Sequence, residues 1–149
     1  MIETECQQLC IDAVEEIGGC GVKFNNRFII GVPDLLLQIP GHGAMILEAK
    51  LHRFSVKTLA AGHLIEDVGC TAKQIMYLRD WGHAGMLTGV VSFVTEQGAD
   101  VRGLRMAVWS YAEMEHIHWS VNTKDHVPLG DKYERMLNIR QQLIGFANG

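Results

Sequence analysis

Apolar positions along the chain change their period in step with its glycines and prolines. Ile2, Cys6, Leu9, Ala13, Val14 and Ile17 recur at helical spacing, which predicts an amphipathic helix over residues 2–17. The run "GGCG" ends it, since glycine accepts the left-handed backbone of a helix stop. "GVKF" then reads as a short strand and "NNR" as a turn. Two apolar runs follow, "DLLLQI" at 34–39 and "AMILEAKL" at 44–51, separated only by "PGHG". So short a connection predicts an antiparallel hairpin.

Residues 52–70 lose this regularity and read as a loop-rich excursion with room for one short helix. "TAKQIMYLRDWGHAG" restores the helical period, with Thr71 as N-cap and Ile75, Leu78 and Trp81 on one face. "MLTGVVSFV" and "LRMAVWSY" are buried strands, and "HIHWSV" a short edge strand. A last helix runs from Asp131 to about Ala147, with Asp131 and Glu134 spaced as a capping box. Tyr133, Met136, Leu137, Arg140 and Ile144 fall along one side of it. Helix, three strands, helix, two strands and a closing helix make one α/β domain with a mixed central sheet flanked by helices.

Composition narrows the function. At 149 residues the chain can bury one core, and no apolar run approaches the ~20 residues of a membrane span. Acids precede the first hydrophobic stretch, so the N-terminus is not read as a signal peptide, and a cytoplasmic protein is expected. Cys6, Cys10, Cys20 and Cys70 form neither a disulfide framework nor paired C-x-x-C zinc knuckles, and are expected to be reduced and buried. A net charge of −4 argues against indiscriminate polyanion binding but not against a nucleic-acid enzyme with one basic face.

The candidate chemistry lies in "GVPDLLLQIPGHGAMILEAK", residues 31–50. Successive strand residues point to opposite faces, so Glu48 and Lys50 share a face and Ala49 does not. The hairpin returns Asp34 to the far end of "ILEAK", where all three charges converge at the edge of an apolar core. An unpaired charge there is costly. Either an Asp–Lys–Glu ion cluster or a hard divalent cation, magnesium above all, would compensate it.

"GVPDLLL", "ILEAK" and "TAKQIMYLRDWGHAGMLTGVVSFV" together resemble the PD-(D/E)xK nuclease superfamily, in particular its VRR-NUC branch and the small Holliday-junction resolvases. The resemblance covers a restriction-endonuclease-like core over about 1–95, leaving about 100–149 as a C-terminal extension within a single domain of 1–149. It implies a metal-dependent phosphodiesterase. Asp34, Glu48 and the Ala49 carbonyl would hold Mg2+, with Mn2+ able to substitute, and Lys50 would position the attacking water and offset transition-state charge. Gln74 matches a glutamine of the family's second helix that faces the site, while also being spaced for a capping box with Thr71. Glu5 matches the family's first-helix acid, against the reading of a solvated acid at a helix N-terminus.

Lys73 occupies a first helical turn, where the macrodipole disfavours a cation unless a phosphate is near, so it is a candidate DNA contact. His52, Arg53 and Lys57 follow the catalytic strand and would extend that path, against the alternative of ordinary solvated residues. His116 and His118 share a strand face but lack an evident third metal ligand. The gap from Lys50 to Gln74 exceeds that of compact family members and marks an insertion.

The expected activity is a magnesium-dependent endonuclease on branched or structured DNA. A nickase or restriction-like enzyme on duplex is the alternative, and a non-catalytic nucleic-acid-binding or interaction module the alternative of another class. A homodimer built partly through Trp109, Tyr111, Trp119, Tyr133 and Met136 is expected, as is a phage or mobile-element source.

Overall fold

The computed structural model describes residues 2–24, 31–97, 103–113 and 120–149. Helix α1 (Glu3–Glu15) leads into β1 (Cys20–Lys23), β2 (Leu35–Ile39) and β3 (Gly43–Phe54). Helix α2 (Val56–Ala61) and β4 (Leu64–Ile65) precede α3 (Ala72–His83), and β5 (Leu87–Glu96) and β6 (Arg105–Ser110) follow. The chain closes with β7 (Val121–Asn122), β8 (Val127–Pro128) and α4 (Lys132–Ala147).

Six strands form the main sheet in the order β1-β2-β3-β5-β6-β8, and β4 pairs with β7 in a two-stranded sheet. The hairpin prediction holds, with β2 antiparallel to β3 in the register Leu35↔Leu47 to Ile39↔Gly43. Strand β5 runs parallel to β3, from Met45↔Leu87 to Phe54↔Glu96, because α3 carries the chain back across the sheet. All other pairings are antiparallel.

Side-chain alternation divides the core. Leu35, Leu37, Leu47, Ala49, Val91 and Phe93 pack on one face with α1 and α4. Leu36, Ile46, Val90 and Val94 pack on the other with α3, α2 and β4. The first core draws on both sides of residue 100, since Met106, Leu129, Ile139 and Leu143 pack with Cys6, Cys10 and Val14.

Several expectations need correction. The irregular stretch 52–70 holds the end of β3, all of α2 and β4. Asp131 caps α4 by accepting from the Tyr133 and Glu134 amides, at 2.9 and 3.0 Å, but no return bond from Glu134 completes a box among the described residues. The buried side of α4 is Met136, Ile139, Leu143 and Phe146, and Tyr133 stands 88% exposed. Cys6, Cys10 and Cys70 are buried and free as expected, whereas Cys20 is free but exposed. Most of "HIHWSV" lies outside the described residues, as does the "NNR" turn; only the short β7 begins at its end.

Candidate active site

Asp34 sits in the bend immediately before β2, where the β2–β3 ladder has ended. Its side chain takes over from the missing strand, with Oδ2 accepting from the Ala49 amide at 3.0 Å. A strand residue's N–H and C=O point to the same side, so the Ala49 carbonyl faces that same edge. The Asp34 carbonyl accepts from the Phe24 amide at 2.8 Å, tying the bend to the end of β1. Three residues earlier, Gly31 adopts φ +88° and lies against Lys73 and Gln74; a Cβ there would strike α3. The "GVPD" segment therefore rests on the N-terminus of α3.

Glu48 is 2% exposed, in the stretch of β3 covered by α3. Its Oε1 accepts from Gln74 Nε2 at 2.9 Å and lies 3.9 Å from Lys50 Nζ. Its Oε2 is buried with no hydrogen-bond partner among the described residues. Desolvation pushes the Glu48 pKa up to about 9, and the neighbouring Asp34 carboxyl pushes the same way. With both acids ionised neither can donate, and a hydrogen bond to Asp34 forms only when Glu48 is protonated. Lys50 opposes the rise without cancelling it.

Gln74 makes two sets of contacts, to Glu48 and to the start of its own helix. Its Oε1 accepts from the Thr71 amide at 2.9 Å, while Thr71 Oγ1 accepts from the Gln74 amide at 3.2 Å. The capping box fixes the side chain that reaches Glu48, so the helix start orients the carboxylate.

Glu5 caps its own helix, where Oε2 accepts from the Ile2 amide at 2.9 Å at the start of α1. Glu3, also in the first turn of α1, adds to the rise of the Glu48 pKa and opposes the lowering that burial gives His52. Glu3 shares a helix face with Gln7 and Cys10, both buried. Lys73 is exposed at the start of α3, beside Gly31. His52 continues the Glu48–Lys50 face, whereas Arg53 points to the opposite face, where its charge only opposes the rise that burial gives the Cys6 pKa on α1. Lys57 is exposed in the first turn of α2. His116 and His118 lie outside the described residues.

No group of three or more His, Cys, Asp or Glu gathers as a cation cage among the described residues. A magnesium site does not require one, because this ion keeps several waters and uses one or two carboxylates plus substrate oxygens. Two adjacent carboxyls, one with an unpartnered buried oxygen, and a carbonyl on the same edge fit such an ion.

This architecture, a mixed sheet flanked by helices with Asp34 just before its second strand and Glu48 and Lys50 on its third, is a restriction-endonuclease-like fold. A solved structure sharing it is Hjc of the archaeon Archaeoglobus fulgidus, a Holliday junction resolvase. The two match with a TM-score of 0.53 and 9% identity, over 95% of this chain and 98% of that one. No protein-family model and no curated protein matches the sequence.

Proposed function

We propose that the protein is a divalent-metal-dependent endonuclease acting on branched or structured DNA. The observation that carries this reading is the buried Glu48 carboxyl, held by Gln74 on Oε1 and, once ionised, without a partner on Oε2, beside Asp34 and Lys50. A purely structural ion cluster would satisfy both oxygens, since an orphaned buried acceptor costs about 1–3 kcal/mol.

Asp34, Glu48 and the Ala49 carbonyl are the groups that would hold magnesium, or manganese in its place. When bound, the ion supplies Lewis-acid polarisation of a phosphodiester and a lowered pKa for water. Lys50 presents a compact positive charge on the same face, where a phosphate would gain negative charge on attack. Gln74 acts as a positioning residue by locking the Glu48 rotamer. Lys73 and the α3 N-terminus offer a phosphate contact on the flank. Glu3 joins Glu5 as a candidate for the first-helix acid, because its charge is felt at Glu48.

Branched DNA is favoured by the fold shared with a resolvase. The sequence motifs add the VRR-NUC resemblance, and an intracellular, phage or mobile-element setting remains part of the same reading. Paired cuts in a four-way junction call for a two-fold dimer. Trp109 and Tyr111 are engaged within the monomer, against His126 and His83, and Met136 packs on the core. The surface left for a partner on α4 is Tyr133 with Leu137, one helical turn apart and 88% and 44% exposed. Trp119 lies outside the described residues.

Incubation with supercoiled plasmid, linear duplex and a four-way junction, with and without magnesium, tests the reading. Metal-dependent cutting that favours the junction is expected, with a dimer by light scattering. Equal cutting of linear duplex by a monomer would replace it with the duplex-nuclease alternative. DNA binding without cleavage would leave the non-catalytic module.

A further inference from the structure

Beyond Lys50, the same face of β3 changes from charged to aromatic. His52 and Phe54 follow at two-residue spacing, their rings stacked at 6.5 Å with planes inclined by 17°. Phe54 meets the ring of His63, just before β4, at 4.9 Å and 50°. With Leu64, Ile65 and Glu66 these rings line an open cleft of about 430 Å³. That volume falls within the range of small-ligand sites.

The walls of this cleft are anchored. The Thr123 amide donates to the His63 carbonyl and the His63 amide to Thr123 Oγ1, both at 2.8 Å. The pairing of β4 with β7 continues that tie through Leu64↔Asn122 and Ile65↔Val121. His52 Nε2 lies 3.1 Å from the Val68 carbonyl. A carbonyl only accepts, so this nitrogen carries the proton, and in the neutral ring Nδ1 is left as an acceptor. Burial lowers the His52 pKa, which favours that neutral, stackable ring. At the rim, Gly62 adopts φ +81°, and the Lys124 stem crosses in the space a Cβ would fill. A lysine therefore lies beside His63.

The cleft thus offers an aromatic wall in which the His52 and Phe54 planes nearly align, hydrogen-bond acceptors at its margin in Glu66 and His52, and a cation at the rim. That combination matches a nucleobase with its attached phosphate: a π-face to stack, amine edges to satisfy and one negative charge. Neighbouring positions on one strand face are about 6.6 Å apart, so the cleft begins one such step from Lys50. A paired base is hidden in the duplex stack, and only an unpaired or extruded one could enter. Because every base has a π-face, such a site reads the absence of pairing and not the sequence.

We propose that the cleft formed by His52, Phe54 and His63 receives an unpaired nucleobase from the DNA strand held at Asp34, Glu48 and Lys50. The proposal rests on the nuclease reading and assigns His52 to a base where the sequence alone pointed to a phosphate.

Two duplexes that differ only in whether one 2-aminopurine is paired test it, in buffer containing EDTA so that no cleavage intervenes. The wild type should bind the unpaired form about tenfold more tightly, the effect of one base–aromatic stack, and change the 2-aminopurine emission on binding. Phe54→Leu keeps apolar bulk without the π-face, and His63→Ala alters an exposed ring; each should bring that preference toward unity and weaken the emission change. Equal binding of the two duplexes by the wild type, or a preference unmoved in both variants, overturns the proposal. Should the wild type meanwhile cut DNA in magnesium, only the base site is lost. Should it neither bind nor cut any DNA, the nuclease reading falls with it.

Discussion

Two polar clusters share one face of the central sheet, brought together by the register that sets Lys50 beside Ser92, and they meet burial in opposite ways. His126 is 3% exposed and has a partner for each ring nitrogen: Ser92 Oγ at 2.9 Å from Nε2 and the Asn122 carbonyl at 3.1 Å from Nδ1. Trp109 packs edge-on at 5.3 Å, and burial pushes the imidazole pKa down to about 4, so the group is neutral. Glu48 is buried as deeply, yet one oxygen lacks a partner among the described residues and its pKa is pushed up to about 9. The His126 network closes on itself and fastens the segment before β8 to the sheet. The Glu48 network is open, and the Lys50 ammonium does not offset the carboxyls of both Asp34 and Glu48. Burial is common to both clusters; what distinguishes Glu48 is an unsatisfied oxygen, once ionised, beside a second acid and a lysine.

Removing the carboxylates should break the comparison most sharply. Asp34→Ala or Glu48→Ala should lower magnesium-dependent cleavage by about 10³-fold or more, as the ion's contribution of several kcal/mol is lost. The fold should persist by circular dichroism. Wild-type cleavage in either variant would place Glu48 in the same structural category as His126.

Lys50→Ala should come next, lowering kcat by about 10²–10³-fold with a smaller change in DNA affinity, because its charge acts where negative charge develops. Lys50→Arg should rescue only in part, since a planar guanidinium does not replace a compact ammonium. Single-turnover rates and binding isotherms separate the two effects, and proportional losses would reduce Lys50 to a phosphate contact. Gln74→Ala should cost about 10–100-fold in activity or metal affinity, the usual effect of a residue that orients a ligand. Gln74→Glu preserves the capping geometry but adds a third carboxyl, and should restore helix stability without restoring rate.

The smallest effects are on stability, where the two clusters have opposite signs. In metal-free protein, Glu48 holds a proton that the unfolded chain has released between pH 4.5 and about 9, so stability falls as pH rises through that window. His126 stays neutral while the unfolded chain takes up a proton, so stability falls as pH drops from 6.5 to about 4. Melting curves in EDTA should show Glu48→Gln flattening the alkaline limb and raising Tm there, at about 2–4 °C per kcal/mol for a domain of this size. Magnesium should raise the wild-type Tm and leave that of Glu48→Gln almost unmoved. His126→Gln should flatten the acid limb but lower Tm at neutral pH. An alkaline limb identical in wild type and Glu48→Gln would show that the carboxylate is not strained.

The regular elements are legible in the sequence because each carries a strong local signal. Thr71 and Gln74 bracket the start of α3, and "PGHG" closes a hairpin whose strands alternate cleanly. Less regular stretches are not. Strands β4 and β8 are two residues each and exist only through distant partners, Val121–Asn122 and Arg105–Met106. On α4 the side marked by Tyr133, Met136, Leu137 and Ile144 is split by the fold, Met136 and Ile144 packing on the core while Tyr133 and Leu137 stay exposed.

Local chemistry was enough to set the order of the main elements and the residues at the candidate site, since strand alternation places Glu48 and Lys50 on one face wherever β3 lies. It also settled that Asp34 returns beside them, because so short a connection leaves a hairpin no other course. Folding in three dimensions was needed to make Gln74 both cap α3 and hold Glu48, and to leave the ionised Glu48 with an unpartnered oxygen. It also placed His52, Phe54 and His63 around one cleft. The difference is one of reach. Periodicity and turn chemistry act over a few residues, whereas desolvation and hydrogen-bond satisfaction depend on groups that meet only after the chain has folded.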